Sequence, residues 1–210
     1  VGNEQNEVLD RVRRHKGRPL AANVLPDVDL QAETWSAVMV AAVSEAYRTA
    51  LAAAGGSAAF DADSPEDLVP DDLAPSLAHA MVEPLRDRLV AAIDAAHEPG
   101  ETTSQVAERI GARYREWKNR SAESSTEDAL VAAYSRGYYD AAPDGAMLTW
   151  STPPAGCCPD CADNALEPTR KGEKFPTGQV YPPAHPGCRC AVTIGSMVGG
   201  AAGLESTSSS

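Results

Sequence analysis

Residues 157–164 read CCPDCADN, so three of the five cysteines in a chain of 210 residues lie within five positions. The other two occur in PPAHPGCRC, residues 182–190, beside one of only four histidines. Thiolate and imidazole groups are the ligands that Zn²⁺ binds in structural sites, where four of them form a tetrahedron. The two stretches therefore predict a metal site that brings distant parts of the chain together.

The spacing of these residues indicates which of them bind the metal. Cys158 and Cys161 form a C-x2-C pair. Cys188 and Cys190 form a C-x-C pair, whose side chains would share one face of an extended strand. His185 stands at H-x2-C spacing before Cys188, as an alternate fourth ligand or as a donor to a metal-bound thiolate. The predicted ligands are the four cysteines with His185 as the alternate, and the predicted cofactor is structural zinc.

Two other interpretations of the cysteines remain open. Disulfides would join the same loops, although an odd number of cysteines and an N-terminus without an apolar signal region weigh against them. A cysteine with His185 would form a nucleophilic dyad, although clustered spacing is atypical of that arrangement. Cys157 is a spare cysteine in the zinc scheme, and Arg189 is expected to be exposed between two ligands.

The composition favours packed helices and argues against broad attraction to polyanions. Hydrophobic residues make up 43% of the chain but aromatic residues only 5%, a balance typical of closely packed, alanine-rich helices. The formal net charge of −12 disfavours nonspecific binding to nucleic acid or anionic lipid. One basic cluster near the N-terminus is expected to dock on protein and to make at most weak contact with DNA; it comprises Arg11, Arg13, Arg14, Lys16 and Arg18.

Helical periodicity recurs along residues 1–142. A long amphipathic pattern begins at Leu30, and in the next pattern Pro84 is expected to start a new helix or to kink the existing one. Thr102 and Gln105 predict a capping box at the start of a further helix.

The last helical pattern precedes the cysteine-rich segment. Glu127 and Asp128 are expected in its first turn, where carboxylates favour the helix dipole. Leu130, Tyr134 and Tyr138 are expected to form its packing face.

The composition and hydrophobic pattern of the sequence change after residue 142. AMLTWSTP, residues 146–153, has the short apolar and β-branched run of a strand. From there to about residue 195 large apolar residues are few, so metal rather than hydrophobic burial is expected to order the segment. The predicted fold class is mainly α with a small α+β, loop-rich C-terminal zinc-stabilised module. The chain is predicted to divide into a helical region 1–142, a Cys/His-rich module 143–196 and a disordered tail 197–210.

The ordered series LTW, CPDCADNAL, FPTG and YPPAHPGCRC resembles the C-terminal domain of the phage Mu F-like minor head proteins, also described as phage head morphogenesis proteins. The pattern P-P-x-H-P-x-C-R-C is the specific part. STEDALVAAYSRGYYDAA is similar to the helix that precedes this domain, so the resemblance covers residues 121–195. The chain departs from the usual pattern in CCPDCADNALEPTRKGEKF, where many members have a shorter loop.

The resemblance implies a low-copy virion protein, made in the host cytoplasm and packed inside the capsid near the portal, with a part in head assembly or DNA delivery. Its partners would be the portal protein, the major capsid protein or both, and it implies no enzymatic activity. The rival hypothesis is a zinc- or cysteine-dependent hydrolase or effector domain packaged in the virion. No stretch approaches the ~20 apolar residues that span a bilayer, so no membrane partner is predicted.

Overall fold

The computed structural model of the chain describes residues 1–55, 68–95 and 101–195. His97, the acidic segment at 56–67 and the predicted tail 197–210 lie outside them. Six helices come first: α1 Gly2–Arg14, α2 Ala21–Val24, α3 Val28–Ala53, α4 Leu73–Asp94, α5 Thr103–Arg120 and α6 Ala122–Ala141. The C-terminal module then contains β1 Met147–Ser151, α7 Pro159–Asn164, β2 Thr169–Arg170 and β3 Ala191–Ile194. The predicted fold class, mainly helical with a small C-terminal α+β module and a Cys/His cluster, is confirmed.

The helix boundaries follow from local sequence chemistry. The side chain of Asp27 accepts the backbone amides of Asp29 and Leu30 and so caps the start of α3. Thr102 and Gln105 form the predicted capping box at the start of α5, which is therefore confirmed. The buried face of α5 includes Val106, Ile110, Tyr114 and Trp117.

Of the two expectations for Pro84 in α4, a new helix is wrong and a kink stays a prediction. The helix runs without interruption from Leu73 to Asp94 with Pro84 inside it. Proline removes one backbone donor from a helix, a loss that packing on both sides can offset. Val82 and Leu85, on either side of Pro84, are completely buried and supply that packing.

Helix α6 packs through small side chains rather than through the predicted tyrosine stripe. Tyr134 is exposed, and Tyr138 packs partly against the C-terminal module. The buried positions of α6 are instead Ala129, Ala133, Ser135 and Gly137. Small residues allow α6 to approach α3 closely, which large tyrosine rings would prevent.

The start of α6 also differs from the prediction. The helix begins at Ala122, so Glu127 and Asp128 lie beyond its first turn, and Glu123 is the acidic residue there. The two carboxylates therefore do not serve the helix dipole. They bind the C-terminal module, as described below.

A partly buried carboxylate ties α1 to the other helices. Glu4 accepts hydrogen bonds from the amide of Gln31 at 2.7 Å, the indole of Trp35 at 2.9 Å and the hydroxyl of Tyr114 at 2.8 Å. The burial of Tyr114 and its contact with the Glu4 carboxylate raise the pKa of the tyrosine well above its usual range. One side chain of α1 thus satisfies three polar groups on α3 and α5.

The module forms a three-stranded antiparallel sheet in the order β2-β1-β3. Contrary to the prediction, it has a hydrophobic core, in which Trp150 packs edge-on against Phe175 with ring centroids 5.0 Å apart. The other buried members of this core are Ala142, Ala146, Leu148, Cys161, Cys188, Cys190 and Val192. This core was not apparent from the sequence, because buried cysteines pack as small apolar side chains in addition to being candidate ligands.

Lys171 joins the module to the end of α6. Its ammonium donates to the carbonyls of Asp140 at 3.2 Å and Ala142 at 2.5 Å, and it lies 5.5 Å from the centroid of the Tyr139 ring. Carbonyls at the end of a helix have no partners within the helix, and a cation satisfies them. None of the helices in the described residues is long and apolar enough to cross a membrane.

Candidate metal centre

The C-x2-C pair lies at the start of α7. Cys158 is the N-cap residue and Pro159 occupies the first turn, where its missing amide hydrogen costs nothing. The helical turn that follows brings Cys161 back over Cys158, and the amide of Ala162 donates to the carbonyl of Cys158 at 3.0 Å. Cys161 is 1% exposed and belongs to the module core. Cys158 is half-buried and packs against the edge of that core.

The other donors lie on the turn before β3. The amide of Cys188 donates to the carbonyl of His185 at 3.1 Å, and Gly187 has a φ of 77°, a left-handed conformation that favours glycine. Residues 185–188, HPGC, therefore form a tight turn. Cys188 and Cys190 are buried and Arg189 between them is exposed, as the C-x-C spacing predicts.

The structure brings all five predicted ligands together in two overlapping groups. Cys158, Cys161 and His185 form one group, and Cys161, Cys188 and Cys190 form the other. Within each group every pair of donor atoms lies within 4.8 Å. Cys161 belongs to both groups and is therefore the centre of the cluster.

Three of the donor separations are close to those around a tetrahedral zinc ion. Zn–S bonds of about 2.3 Å and Zn–N bonds of about 2.0 Å give tetrahedral edges of about 3.8 Å between sulfurs and about 3.6 Å between sulfur and nitrogen. The sulfurs of Cys161 and Cys188 are 3.7 Å apart. Nε2 of His185 lies 3.1 Å from the sulfur of Cys158 and 3.4 Å from that of Cys161.

The ring of His185 is oriented as a ligand. Its Nδ1 lies 2.9 Å from the carbonyl oxygen of Pro186, which can only accept, so Nδ1 carries the hydrogen in this contact. In the neutral ring, Nε2 then offers its lone pair to the cluster. A histidine that binds metal through one nitrogen commonly donates from the other to a backbone carbonyl. The same hydrogen bond is the main reason that the pKa of His185 is raised.

Backbone amides favour the thiolate form at two of the cysteines. The pKa of Cys158 is lowered, chiefly by a hydrogen bond from the backbone of Cys161. Burial acts to raise the pKa of Cys188, but hydrogen bonds that include one from the backbone of Cys190 outweigh it and the net shift is downward. Because metals bind the thiolate, these two positions are prepared to bind a cation.

The other two buried cysteines have the opposite tendency. Burial is the main reason that the pKa values of Cys161 and Cys190 are raised above the usual range for a thiol. A bound cation inverts this preference, since it stabilises the thiolates that burial disfavours. Nε1 of Trp150 is buried and has no hydrogen-bond partner among the described residues. The indole nevertheless acts to lower the pKa of Cys190, in opposition to burial.

Cys157 is outside the cluster and exposed, which agrees with its interpretation as a spare. None of the five cysteines forms a disulfide in the structure. An open cavity of about 500 Å³ lies in front of the cluster. Its lining comprises Pro153, Ala155, Gly156, Cys157, Cys158, Cys161, His185, Gly187, Cys188, Arg189 and Cys190.

Two carboxylates of α6, Glu127 and Asp128, support the site, and these contacts were not predicted from the sequence. Arg189 donates to Oδ1 of Asp128 at 2.6 Å and forms a second ion pair with Glu127. The amide of Gly187 donates to Oδ2 of Asp128 at 2.9 Å. The early start of α6 leaves both carboxylates free for these contacts, and no spacing rule connects them to positions about 60 residues away.

Three of the five residues of the basic cluster lie on α1 and form local ion pairs. Arg11 pairs with Glu7 at 3.6 Å, and both Arg13 and Arg14 pair with Asp10 at 3.4 and 3.3 Å. These contacts are exposed and therefore weak, but they lower the local positive potential. Binding of this cluster to DNA or protein stays a prediction.

No protein-family model, no curated protein and no solved structure matches the chain. The resemblance to the phage head proteins therefore remains a prediction from the quoted motifs.

Proposed function

We propose that the chain binds one structural zinc ion through Cys158, Cys161, Cys188 and His185. Three separations between their donor atoms lie near the edges of a zinc tetrahedron and carry this proposal, with Cys161 linking Cys188 to the other two ligands. When bound, zinc supplies charge and fixed geometry that hold α7 against the turn before β3. Three thiolates and an imidazole suit zinc better than magnesium or calcium, which require oxygen ligands.

His185 rather than Cys190 is the proposed fourth ligand. Nε2 of His185 is directed at Cys158 and Cys161, and its tautomer is set by Pro186. Cys190 groups with Cys161 and Cys188 but not with Cys158 and His185, and it belongs to the module core together with Trp150. Cobalt substitution tests the choice, because sulfur-to-cobalt absorption increases with the number of thiolate ligands. His185→Asn should change the cobalt spectrum and Cys190→Ser should preserve it; the reverse pattern would make Cys190 the ligand.

The role that these features favour is structural rather than catalytic. Catalytic zinc keeps a position for water or substrate, whereas five donors within this cluster favour a closed site. None of the described residues that line the cavity carries a carboxylate that could act as a general base. We therefore propose an interaction protein with a zinc-stabilised module, in preference to a hydrolase or packaged effector.

The motif series of residues 148–190 supports a more specific proposal, that the chain is a minor head protein of a tailed phage. In that role it would lie inside the capsid near the portal and contact the portal protein, the major capsid protein or both. Mass spectrometry of purified virions, with infected-cell lysate as the comparison, tests this directly. Enrichment in particles is the expected result, and recovery only from lysate would contradict the head assignment.

The zinc proposal has its own experiment. Elemental analysis of the purified chain should find one zinc per chain, and a thiol reagent should label only Cys157 until the metal is removed. Chelation should then expose the remaining cysteines to the reagent. A chain without metal, or one whose buried thiols react equally with and without zinc, would contradict the proposal.

A further inference from the structure

The turn that carries His185 and Cys188 is held from outside by helix α6. Asp128 uses both carboxylate oxygens, one for the amide of Gly187 and the other for the guanidinium of Arg189. Arg189 also donates to the carbonyl of Cys188 at 3.0 Å. The backbone on both sides of Cys188 is therefore fixed by one carboxylate of the helical region.

We propose that Asp128 and Arg189 are positioning residues of the metal centre, so that α6 and zinc stabilise each other. This inference rests on the proposed zinc site and adds the part of the fold that controls it. Groups that orient metal ligands through hydrogen bonds typically change metal affinity when they are removed. Asp128 touches no donor atom among the described residues; it acts on the turn that presents two of them.

The coupling between α6 and zinc is reciprocal, so it can be tested from either side. If α6 orders the turn for zinc, zinc must stabilise the contacts of α6 with that turn by the same free energy. A groove of about 460 Å³ borders this contact, and its lining includes Asp128 and His185 together with Met81 of α4 and Trp117 of α5. Asp128 thus couples zinc occupancy to α6 beside an open groove.

Zinc affinity measured by competition with a chelating dye tests the proposal in the full chain. Asp128→Asn should bind zinc about 10- to 100-fold more weakly, the range typical for residues that orient ligands. Arg189→Gln should also weaken binding, and its exposed side chain makes failure to fold an unlikely explanation of the loss. Glu123→Gln is the matched control, because Glu123 lies on the same helix and is exposed; its affinity should equal that of the original chain.

Hydrogen exchange of residues 122–141 supplies a second readout. Zinc should slow exchange around Asp128 in the original chain, and the effect should be lost in Asp128→Asn. Unchanged affinity in both Asp128→Asn and Arg189→Gln, with the zinc effect on exchange retained, would overturn the inference while leaving the zinc site intact. Failure of the original chain to bind zinc would instead contradict the proposed function.

Discussion

Gly137 of α6 lies against the main-chain oxygen of Tyr47 in α3, so close that a Cβ atom at position 137 would overlap it. The same Cβ would lie 3.1 Å from the Cβ of Ala50. The contact fixes the distance between two long helices, because neither a backbone oxygen nor an alanine methyl can rotate away. The helix that presents Asp128 to the metal centre is therefore held by backbone contact as well as by side chains.

Replacing Gly137 with Ala should destabilise the fold, because the two helices must separate to admit the methyl group. We expect a loss of about 1–3 kcal/mol in the free energy of unfolding, the usual cost of overpacking. Gly111→Ala is the control, since its nearest neighbour is the flexible end of Arg115 at 3.3 Å. That variant should be neutral or more stable, by up to about 1 kcal/mol from helix propensity. Urea unfolding followed by circular dichroism distinguishes the two, and equal effects would refute the close-contact explanation.

Removing the carboxylate of Glu4 should destabilise the helical region. Glu4→Ala leaves the donors of Gln31, Trp35 and Tyr114 without their shared acceptor, and each unsatisfied buried donor costs about 1–3 kcal/mol, less where water enters. We expect a net loss of about 2–4 kcal/mol in urea unfolding. Glu7→Ala, which removes only an exposed ion pair with Arg11, should cost less than about 1 kcal/mol. A similar cost for both variants would show that the network is not stabilising.

His79 should titrate above its usual range. A hydrogen bond from its ring to Asp29 is the main cause of its raised pKa, with Glu83 adding to it. Because the pKa in the folded state exceeds that in the unfolded state, this contribution to stability is complete below about pH 6.5 and declines as the pH rises through the folded-state value. NMR titration of the ring should give a pKa above about 6.5 that falls in Asp29→Asn. A value at or below that reference in the original chain would contradict the assigned contacts.

The outline of the site could be predicted from sequence because its chemistry is local. C-x2-C on one turn of helix and C-x-C in extended backbone each determine where two sulfurs point, whatever the rest of the fold does. The HPGC turn could likewise be predicted, since Gly187 supplies the left-handed conformation that the turn requires. Periodicity found the helices for the same reason, namely that a helix repeats its pattern within a few residues.

The parts that could not be predicted depend on contacts between distant residues. Asp128 is one of 30 acidic residues, and only the docking of the module shows that it binds Gly187 and Arg189. The tyrosines of α6 suggested the wrong packing face because side-chain size indicates burial poorly where two helices approach through glycine and alanine. The module core was missed because Cys161, Cys188 and Cys190 complete the surface around Trp150 and Phe175.

The hydrophobic core of the C-terminal module limits how much of the module should unfold when the metal is removed. Strands β1 and β3 are paired over four residues and bury Leu148, Trp150 and Val192, so part of the module should persist without zinc. The segments around Cys158 and around His185 have no strand pairing, and their buried core members are cysteines of the donor cluster. Chelation should therefore raise hydrogen exchange much more in residues 157–164 and 185–190 than in 147–151. Uniform exposure of the whole module would mean that zinc, rather than the apolar core, also orders the sheet.

Cys161 provides the most direct test of the central claim, because it is the donor shared by both groups of ligands. Hydrogen exchange of the full chain should be measured with and without zinc for the original sequence, for Cys161→Ser and for Cys157→Ser. The account predicts that zinc protects residues 157–164 and 185–190 in the original chain and in Cys157→Ser, and that Cys161→Ser loses both stoichiometric zinc and this protection. Zinc protection that persists in Cys161→Ser, or that is absent from the original chain, would contradict the account.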